Sequence, residues 1–205
     1  TSIGISRCPG DAGTVEAMLK HAAVALYKAK AMGKNTFQYY SETDRHRAAN
    51  RFNIEQSLRE AFEKNQFRLV YQPNYSISSG KVVGIEALLR CDNGILKGIS
   101  PAKYIDVLED TGLIIPVGAW VLNQACADAQ LHQGTDLDSY TVSVNLSVRQ
   151  FLDKSLIQTI RKALSDTGMD PCRLELEITE SLLIEHVSET AAILKEINDM
   201  GVKLS

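Results

Sequence analysis

Two β-rich runs lie so close together that they constrain the fold more than any other feature of this sequence. Residues 67–73 and 81–89 are separated by a short segment that carries Asn, Ser and Gly, the residues typical of turns. A connection of this length has no room for a helix, so the two runs must pair as antiparallel strands. Whatever follows has to assemble on one edge of this hairpin.

After the hairpin, helical and strand patterns alternate. We predict helices over residues 101–110, 117–133, 148–167 and 187–200, and strands over 140–146, 173–178 and from Val202 onward. Alternation predicts an α/β fold with parallel strands and helical crossovers. An open doubly wound sheet and a (β/α)8 barrel both fit, and no dinucleotide-binding glycine fingerprint favours the sheet. A barrel normally needs about 250 residues, so a TIM-like barrel here would be partial, truncated about midway.

The segment before the hairpin has a different organisation. Residues 2–6 predict a short strand, Thr14 caps a helix that lasts to Gly33, and residues 35–40 predict a second strand. A β-α-β unit of about 40 residues is smaller than most domains that fold alone, which predicts the tail of a larger domain. We therefore divide the chain into residues 1–43, a connecting helix over 44–66, and a second domain over 67–205.

Charge and hydropathy exclude several classes of protein. The chain has 22 Lys and Arg against 25 Asp and Glu, a net charge of −3, which predicts no DNA or RNA partner. The longest nearly unbroken apolar stretch, residues 112–122, is far below the ~20 residues that cross a bilayer, so we expect no membrane segment. The four cysteines are too far apart for a zinc knuckle, and we expect reduced thiols in a cytoplasmic protein.

Three predicted strands end in side chains that carry oxygen ligands. These residues are Glu86, Asn145 and Glu177. In a barrel the strand ends converge on one face, and carboxylate and amide oxygens without His or Cys suit Mg²⁺ or Mn²⁺. This favours a site that handles phosphate, although each residue alone is also typical of a solvated strand edge.

Other polar residues have two interpretations each. Arg90 could direct its guanidinium at a phosphate near such a cation, or form a surface ion pair. Gln72 could contact a base edge, or cap a turn. Lys30 and Lys34 lie one turn apart at the end of the first predicted helix, where cations also complement the helix dipole.

Several motifs, taken together and in order, resemble the EAL domain, the cyclic-di-GMP-specific phosphodiesterase module of bacteria. The resemblance covers about residues 55–205. The motifs are Tyr71-Gln72-Pro73, Glu86-Ala87-Leu88-Leu89-Arg90, Ile99-Ser100-Pro101, Glu109-Asp110-Thr111-Gly112-Leu113-Ile114, Val144-Asn145-Leu146-Ser147 and Leu176-Glu177-Ile178-Thr179-Glu180-Ser181.

The resemblance implies a mechanism and roles for these residues. EAL enzymes use two Mg²⁺ or Mn²⁺ ions at the barrel mouth to activate a water for in-line attack on a phosphodiester bond, with linear pGpG as the product. It implies that Glu86, Asn145 and Glu177 are metal ligands. It also implies that Arg90 holds a phosphate and that Gln72 seats the dinucleotide. Thr179 and Glu180 resemble the residues that anchor a neighbouring loop.

The first forty residues resemble the end of a GGDEF domain, the diguanylate cyclase module that often precedes EAL. Residues 1–6, 25–30 and 33–35 carry this resemblance, and Lys30 and Lys34 match positions that hold the nucleotide's phosphates. Ala23 stands where the family usually has an acidic residue. A working cyclase with a regulatory EAL half is therefore the weakest of the hypotheses.

Departures from the EAL pattern lead to the remaining expectations. The family supplies further metal ligands from an Asp-Asp-Phe-Gly strand, and this sequence contains no Asp-Asp pair, while Cys91 replaces a common Trp. We therefore expect the chain as it stands to be inactive. We also expect it to be poorly soluble or to associate, because an open half-barrel exposes an unpaired parallel strand edge. The alternative function is a degenerate module that binds cyclic-di-GMP or a protein without hydrolysis. A homodimer, and a parent protein anchored to the inner membrane by an upstream segment, are further expectations from the resemblance.

Overall fold

The structure is a computed structural model that describes residues 1–131, 140–178 and 187–205, with backbone alone at 44, 45, 47, 48 and 187–189. The strands are β1 (Ile3–Ile5), β2 (Phe37–Tyr39), β3 (Phe67–Tyr75), β4 (Val82–Cys91), β5 (Thr141–Leu146), β6 (Leu174–Ile178) and β7 (Lys203–Leu204). The helices are α1 (Val15–Ala31), α2 (Glu42–Glu63), α3 (Pro101–Thr111), α4 (Ile114–Gln130), α5 (Val148–Phe151), α6 (Leu156–Thr167) and α7 (Val187–Asp199).

The described residues form two compact units, Thr1–Gln56 and Ser57–Ser205. In the first unit β1 and β2 pair in parallel and α1 packs on them, as a β-α-β crossover requires. The Thr14 side chain accepts a hydrogen bond from the backbone N–H of Ala17, so the predicted cap does begin α1. None of the described helices combines the length and the apolarity needed to cross a bilayer.

The second unit is built on a five-stranded sheet in the order β3-β4-β5-β6-β7. β3 and β4 pair antiparallel, whereas β4, β5, β6 and β7 pair in parallel with helices between them. The predicted hairpin and the predicted parallel sheet with helical crossovers are both found. The chain order of the strands is also their spatial order, which is the arrangement from which a barrel is made.

One face of this sheet is apolar and lies under the helices. Its register rows run Ala87-Val144-Leu176 and Ile85-Val142-Leu174 across the three central strands. Ala87, both valines and both leucines are buried, and buried side chains of α3, α4, α6 and α7 belong to the same core. Because side chains alternate along a strand, burial of these rows directs the intervening residues to the opposite face.

The predicted helix over 148–167 is wrong in one respect, because it is two helices with a break between them. The carboxylate of Asp153 accepts a hydrogen bond from the backbone N–H of Ser155 at 2.8 Å and also one from its hydroxyl. A side chain that satisfies a nearby backbone N–H in this way competes with the helical ladder. The chain therefore leaves α5 after one turn and starts α6 at Leu156.

The buried rows of the sheet predict a large effect of a core truncation. Leu176 is fully buried at the centre of β6, so Leu176→Ala should lower the free energy of unfolding by about 2–5 kcal/mol through lost burial and a cavity. Urea unfolding measures this change. Leu131→Ala is the matched control, since Leu131 is 80% exposed and the change should stay within about 0.5 kcal/mol. Equal effects of the two substitutions would contradict the assignment of the core.

Candidate functional site

The face of the sheet opposite the core carries a polar row across all five strands. Residues in register are Gln72, Glu86, Ser143, Glu175 and Lys203. Two residues further along β5 and β6, Asn145 and Glu177 are also in register with each other. Strands that bury one face must place these polar side chains together on the other.

Glu86, Asn145 and Glu177 come together, with Asn145 and Glu177 near the carboxyl ends of β5 and β6 and Glu86 midway along β4. The Asn145 side-chain amide donates a hydrogen bond from Nδ2 to Oε1 of Glu86 at 2.6 Å. All three residues line one cleft of about 620 Å³, which we call the strand-end cleft. The three residues share one face, as expected. The prediction that Glu86 ends its strand is wrong, because antiparallel pairing with β3 extends β4 to Cys91. The roles of the three residues are a separate question.

The carboxylates of Glu86 and Glu177 repel each other in the strand-end cleft. The pKa of Glu177 is raised above the ordinary carboxyl value, first by burial and then by the negative charge of Glu86, while a hydrogen bond from Ser143 acts in the opposite direction. Ionised carboxylates held close together cost free energy unless a cation or a proton offsets the charge. The arrangement is therefore suited to a positively charged ligand.

A hard cation fits the chemistry of these donors. Two carboxylates and one amide oxygen match the oxygen ligands that Mg²⁺ and Mn²⁺ take. An asparagine amide carries one oxygen besides its NH₂ group, so the bond from Asn145 to Glu86 leaves that oxygen available. Within the described parts of the chain no group of three His, Cys, Asp or Glu residues gathers as a metal site. Asn145 places an amide oxygen beside the Glu86 carboxylate.

The rest of the strand-end cleft combines apolar walls with charged residues at its edge. Arg90 lies at the end of β4, and its Nη1 donates to the carbonyl of Leu89 at 2.8 Å. Glu109 of α3 also lines the cleft, and its pKa is raised by burial, then by Asp106 and Asp110. The site thus contains a guanidinium that can pair with an anion and a third carboxylate that the sequence reasoning had not assigned.

The motif at residues 71–73 is divided between the two faces of the sheet. Gln72 is exposed and pairs in register with Glu86, although it is not one of the described residues that line the cleft. Tyr71 belongs to the helix-covered face, where its hydroxyl donates to Oδ2 of Asp128 in α4 at 2.5 Å. Burial and this carboxylate raise the pKa of Tyr71, so the phenol stays protonated and ties β3 to α4.

The other predicted site residues belong to the first unit or fall outside the description. Lys30 and Lys34 are exposed in the first unit, with Lys34 in the left-handed region at φ 61°. Thr179 and Glu180 fall outside the described residues. Within the second unit the structure therefore brings Glu86, Asn145, Glu177 and Arg90 together in one cleft.

Besides Glu109, two more residues of the cleft were not predicted from the sequence. Gln150 of α5 and Gly118 of α4 both line it. A signal for Gln150 was present in the spacing from Ser147, since Ser-x-x-Gln is the pattern of a helix capping box. Gly118 had no such signal, because only the packing of α5 against α4 shows why a side chain is absent there.

Comparison with known proteins identifies relatives of the whole chain. The signaling protein YkoW of Bacillus subtilis is 36% identical over 208 residues, which cover 100% of this chain and 25% of that protein. The bifunctional diguanylate cyclase/cyclic di-GMP phosphodiesterase MucR of Pseudomonas aeruginosa is 34% identical over 204 residues, which cover 100% of this chain and 30% of that protein. The chain thus spans between a quarter and a third of the length of these two curated relatives.

Solved structures and a family model agree with the fold. A structure of the PaMucR phosphodiesterase in complex with c-di-GMP has a TM-score of 0.70 at 34% identity, covering 74% of this chain and 62% of that one. The Xanthomonas citri FimX EAL domain in complex with c-diGMP, at 24% identity, shares the fold with a TM-score of 0.67 over 78% of this chain and 62% of that one. The model of the EAL domain matches residues 55–205. The chain therefore belongs to the EAL domain family.

Proposed function

We propose that this chain is part of a cyclic-di-GMP phosphodiesterase that hydrolyses its substrate to linear pGpG. The observation that carries the proposal is the convergence of Glu86, Asn145 and Glu177 in one cleft at the strand ends. The name of MucR as a bifunctional diguanylate cyclase/cyclic di-GMP phosphodiesterase supports the choice of substrate, as does the c-di-GMP complex of a phosphodiesterase with the same fold.

The three convergent residues are proposed to hold Mg²⁺ or Mn²⁺. When bound, such ions lower the pKa of water and stabilise charge on phosphate oxygens, with two ions clamping an in-line displacement. Burial, and after it the charge of Glu86, raise the pKa of Glu177, which favours this role because a divalent cation would offset the negative charge of both carboxylates. Glu86 and Glu177 supply charge, while Asn145 both orients Glu86 and offers an oxygen.

Substrate contacts follow from the edge of the cleft. Arg90 is proposed to bind a phosphate, because its guanidinium has further N–H donors besides the one that contacts the Leu89 carbonyl. Gln72 is proposed to contact the dinucleotide from the neighbouring strand, since it is exposed and in register with Glu86. Thr179 and Glu180 keep the proposed role of anchoring a loop, which rests on the family pattern alone.

Residues 1–43 are proposed to be the end of a GGDEF domain, followed by a connecting helix over 44–66 and the EAL domain over 67–205. The parallel β-α-β arrangement of the first unit supports this division, and so does the match of MucR along the whole chain. Lys30 and Lys34 are proposed as phosphate contacts of that module. Both are exposed, Lys30 in the last turn of α1 and Lys34 in the turn that follows this helix, which leaves them accessible to a nucleotide.

The three proposed ligands are too few for the whole site. A hard cation takes about six ligands and two ions need more, whereas Glu86, Asn145 and Glu177 are the donors proposed among the described residues of the cleft. We therefore propose that the 205-residue chain has little activity by itself and that hydrolysis belongs to the full natural polypeptide that carries it. Binding of cyclic-di-GMP without hydrolysis is the alternative function.

Hydrolysis tests the proposal in that full polypeptide. With cyclic-di-GMP and Mg²⁺ or Mn²⁺, pGpG should form, and Glu86→Gln should lower kcat by at least about 100-fold, because the substitution removes a charged cation ligand. Chromatographic separation of the products measures both. Glu63→Gln, an exposed carboxylate of α2, is the control that should leave kcat unchanged.

The two functions give different results in this assay. Binding of cyclic-di-GMP with no pGpG would favour the receptor, and the absence of both would reject both functions. Equal effects of the two Glu→Gln substitutions would contradict the assignment of Glu86 to the site.

The electrostatics of the cleft predict a dependence of stability on pH. Because the pKa of Glu177 is raised in the fold, ionisation of this carboxyl costs folding free energy once the pH rises through the ordinary carboxyl range. In excess chelator Glu177→Gln should therefore raise the melting temperature at pH 8 and give no gain at pH 3.5. Calorimetric scans at both pH values measure this, with Glu63→Gln as the control. A loss of stability at pH 8 would mean that the Glu177 carboxylate is stabilised by the fold, which contradicts the assigned repulsion.

A further inference from the structure

The turn that follows β5 is closed by two reciprocal hydrogen bonds. The Ser147 hydroxyl accepts from the backbone N–H of Gln150 at 3.3 Å, and Oε1 of Gln150 accepts from the backbone N–H of Ser147 at 3.2 Å. This capping box begins α5, which is only four residues long. A single helical turn does not persist without outside support, so other contacts must hold it in place.

The first outside contact is made by the Gln150 amide on the backbone of α4. Gln150 is only 7% exposed, and a Cβ placed on Gly118 would lie 1.9 Å from its Nε2. No side chain larger than hydrogen fits beneath this amide. The absence of a side chain at Gly118 therefore creates the space that seats the capping glutamine.

The second outside contact is made by Arg149 on the end of α3. Its Nη1 donates to the carbonyl of Asp110 at 3.0 Å and also to the carbonyl of Glu109. Gly112 ends α3 in the left-handed region at φ 81°, and these carbonyls lie in the last turn, where a cation complements the helix dipole. An exposed arginine thus binds main-chain groups of a helix about forty residues earlier in the sequence.

These contacts lie next to Asn145, the residue that donates a hydrogen bond to Glu86. Asn145 lies two residues before Ser147, and the intervening Leu146 is the last residue of β5 in register with β6. We propose that Gln150 and Arg149 are positioning residues that fix the end of β5, so that Asn145 keeps its contact with Glu86. The inference deepens the proposed function, on which it rests, because it assigns the two contacts to the cation site.

Single substitutions in the full natural polypeptide test the proposal. Gln150→Ala and Arg149→Ala should each weaken Mn²⁺ binding by about 10- to 100-fold, as the loss of residues that orient metal ligands does. The loss of kcat should be recovered at high Mn²⁺ concentration, and KM for cyclic-di-GMP should change little. Hydrogen exchange of the backbone amides of Asn145 and Leu146 should become faster.

A matched control separates positioning from general stability. Gln130→Ala removes a glutamine whose Nε2 donates to the carbonyl of Gly168 at 2.9 Å, in the loop before β6 and away from the cleft. It should lower the melting temperature about as much as Gln150→Ala while leaving Mn²⁺ binding unchanged. If Gln130→Ala weakens Mn²⁺ binding equally, the positioning role is wrong.

A double-mutant cycle tests the contact between the Gln150 amide and Gly118 of α4. Gly118→Ala alone should weaken Mn²⁺ binding because the new methyl group displaces the Gln150 amide, although alanine is the better helix former. In the Gln150→Ala background the same substitution has room and should cause no further loss. Additive losses would overturn the proposal, because they would show that the two residues act independently.

The outcomes distinguish this inference from the proposed function. If the unsubstituted protein binds no Mn²⁺ and hydrolyses nothing, the proposed function fails, and hydrogen exchange alone then decides whether the two residues hold the end of β5. Faster exchange at Asn145 and Leu146 supports that role even then. If exchange is unchanged in both Gln150→Ala and Arg149→Ala, the positioning role is wrong whatever the activity.

Discussion

Burial of one face of a parallel sheet is the constraint on which the rest of this structure depends. Ala87, Val144 and Leu176 form one register row beneath the helices, and the alternation of side chains then directs Glu86, Asn145 and Glu177 to the other side. Burial of the apolar row therefore holds two carboxylates and an amide close together, although the two carboxylates repel each other and all three groups would otherwise be hydrated separately. Glu177 bears the electrostatic cost of this arrangement, as its raised pKa shows.

Much of this architecture could be predicted from the sequence because the deciding interactions are local. A seven-residue connection between residues 73 and 81 permits only an antiparallel pair, and the alternation of apolar strands with helices permits little besides a parallel sheet. The positions of Asn145 and Glu177 near the ends of β5 and β6 followed from the same pattern, whereas Glu86 lies midway along β4. Their common cleft follows because all three lie on the same face of the sheet.

The features that escaped prediction depend on contacts between distant segments. The break between α5 and α6 arises where the Asp153 carboxylate satisfies the Ser155 N–H, which a helical apolar pattern conceals. The division of residues 71–73 between two faces became visible only when Tyr71 was found bonded to Asp128, 57 positions away. Gly118 and Gln150 likewise have meaning only as a pair, because the missing side chain of one makes the seat of the other.

The motifs that resemble the family are therefore joined by physical contacts around the strand-end cleft. Arg149 connects the end of α3 to the turn after β5, and Asn145 connects that strand to Glu86. The residues around Glu86 and Glu177 matter because two carboxylates of like charge stay close together when rigid neighbours hold them in place. The resting geometry of the carboxylates is set by the sheet, the capping box and the arginine together.

Binding of a divalent cation by Glu86, Asn145 and Glu177 is tested most directly by a crystal structure of the full natural polypeptide. Crystals are grown with Mn²⁺, and anomalous diffraction locates the ion. We predict an anomalous peak in the strand-end cleft within about 2.0–2.4 Å of oxygens from Glu86, Asn145 and Glu177, the range usual for hard cations. An ion bound elsewhere, or three side chains that turn away from one another around an empty cleft, would contradict it.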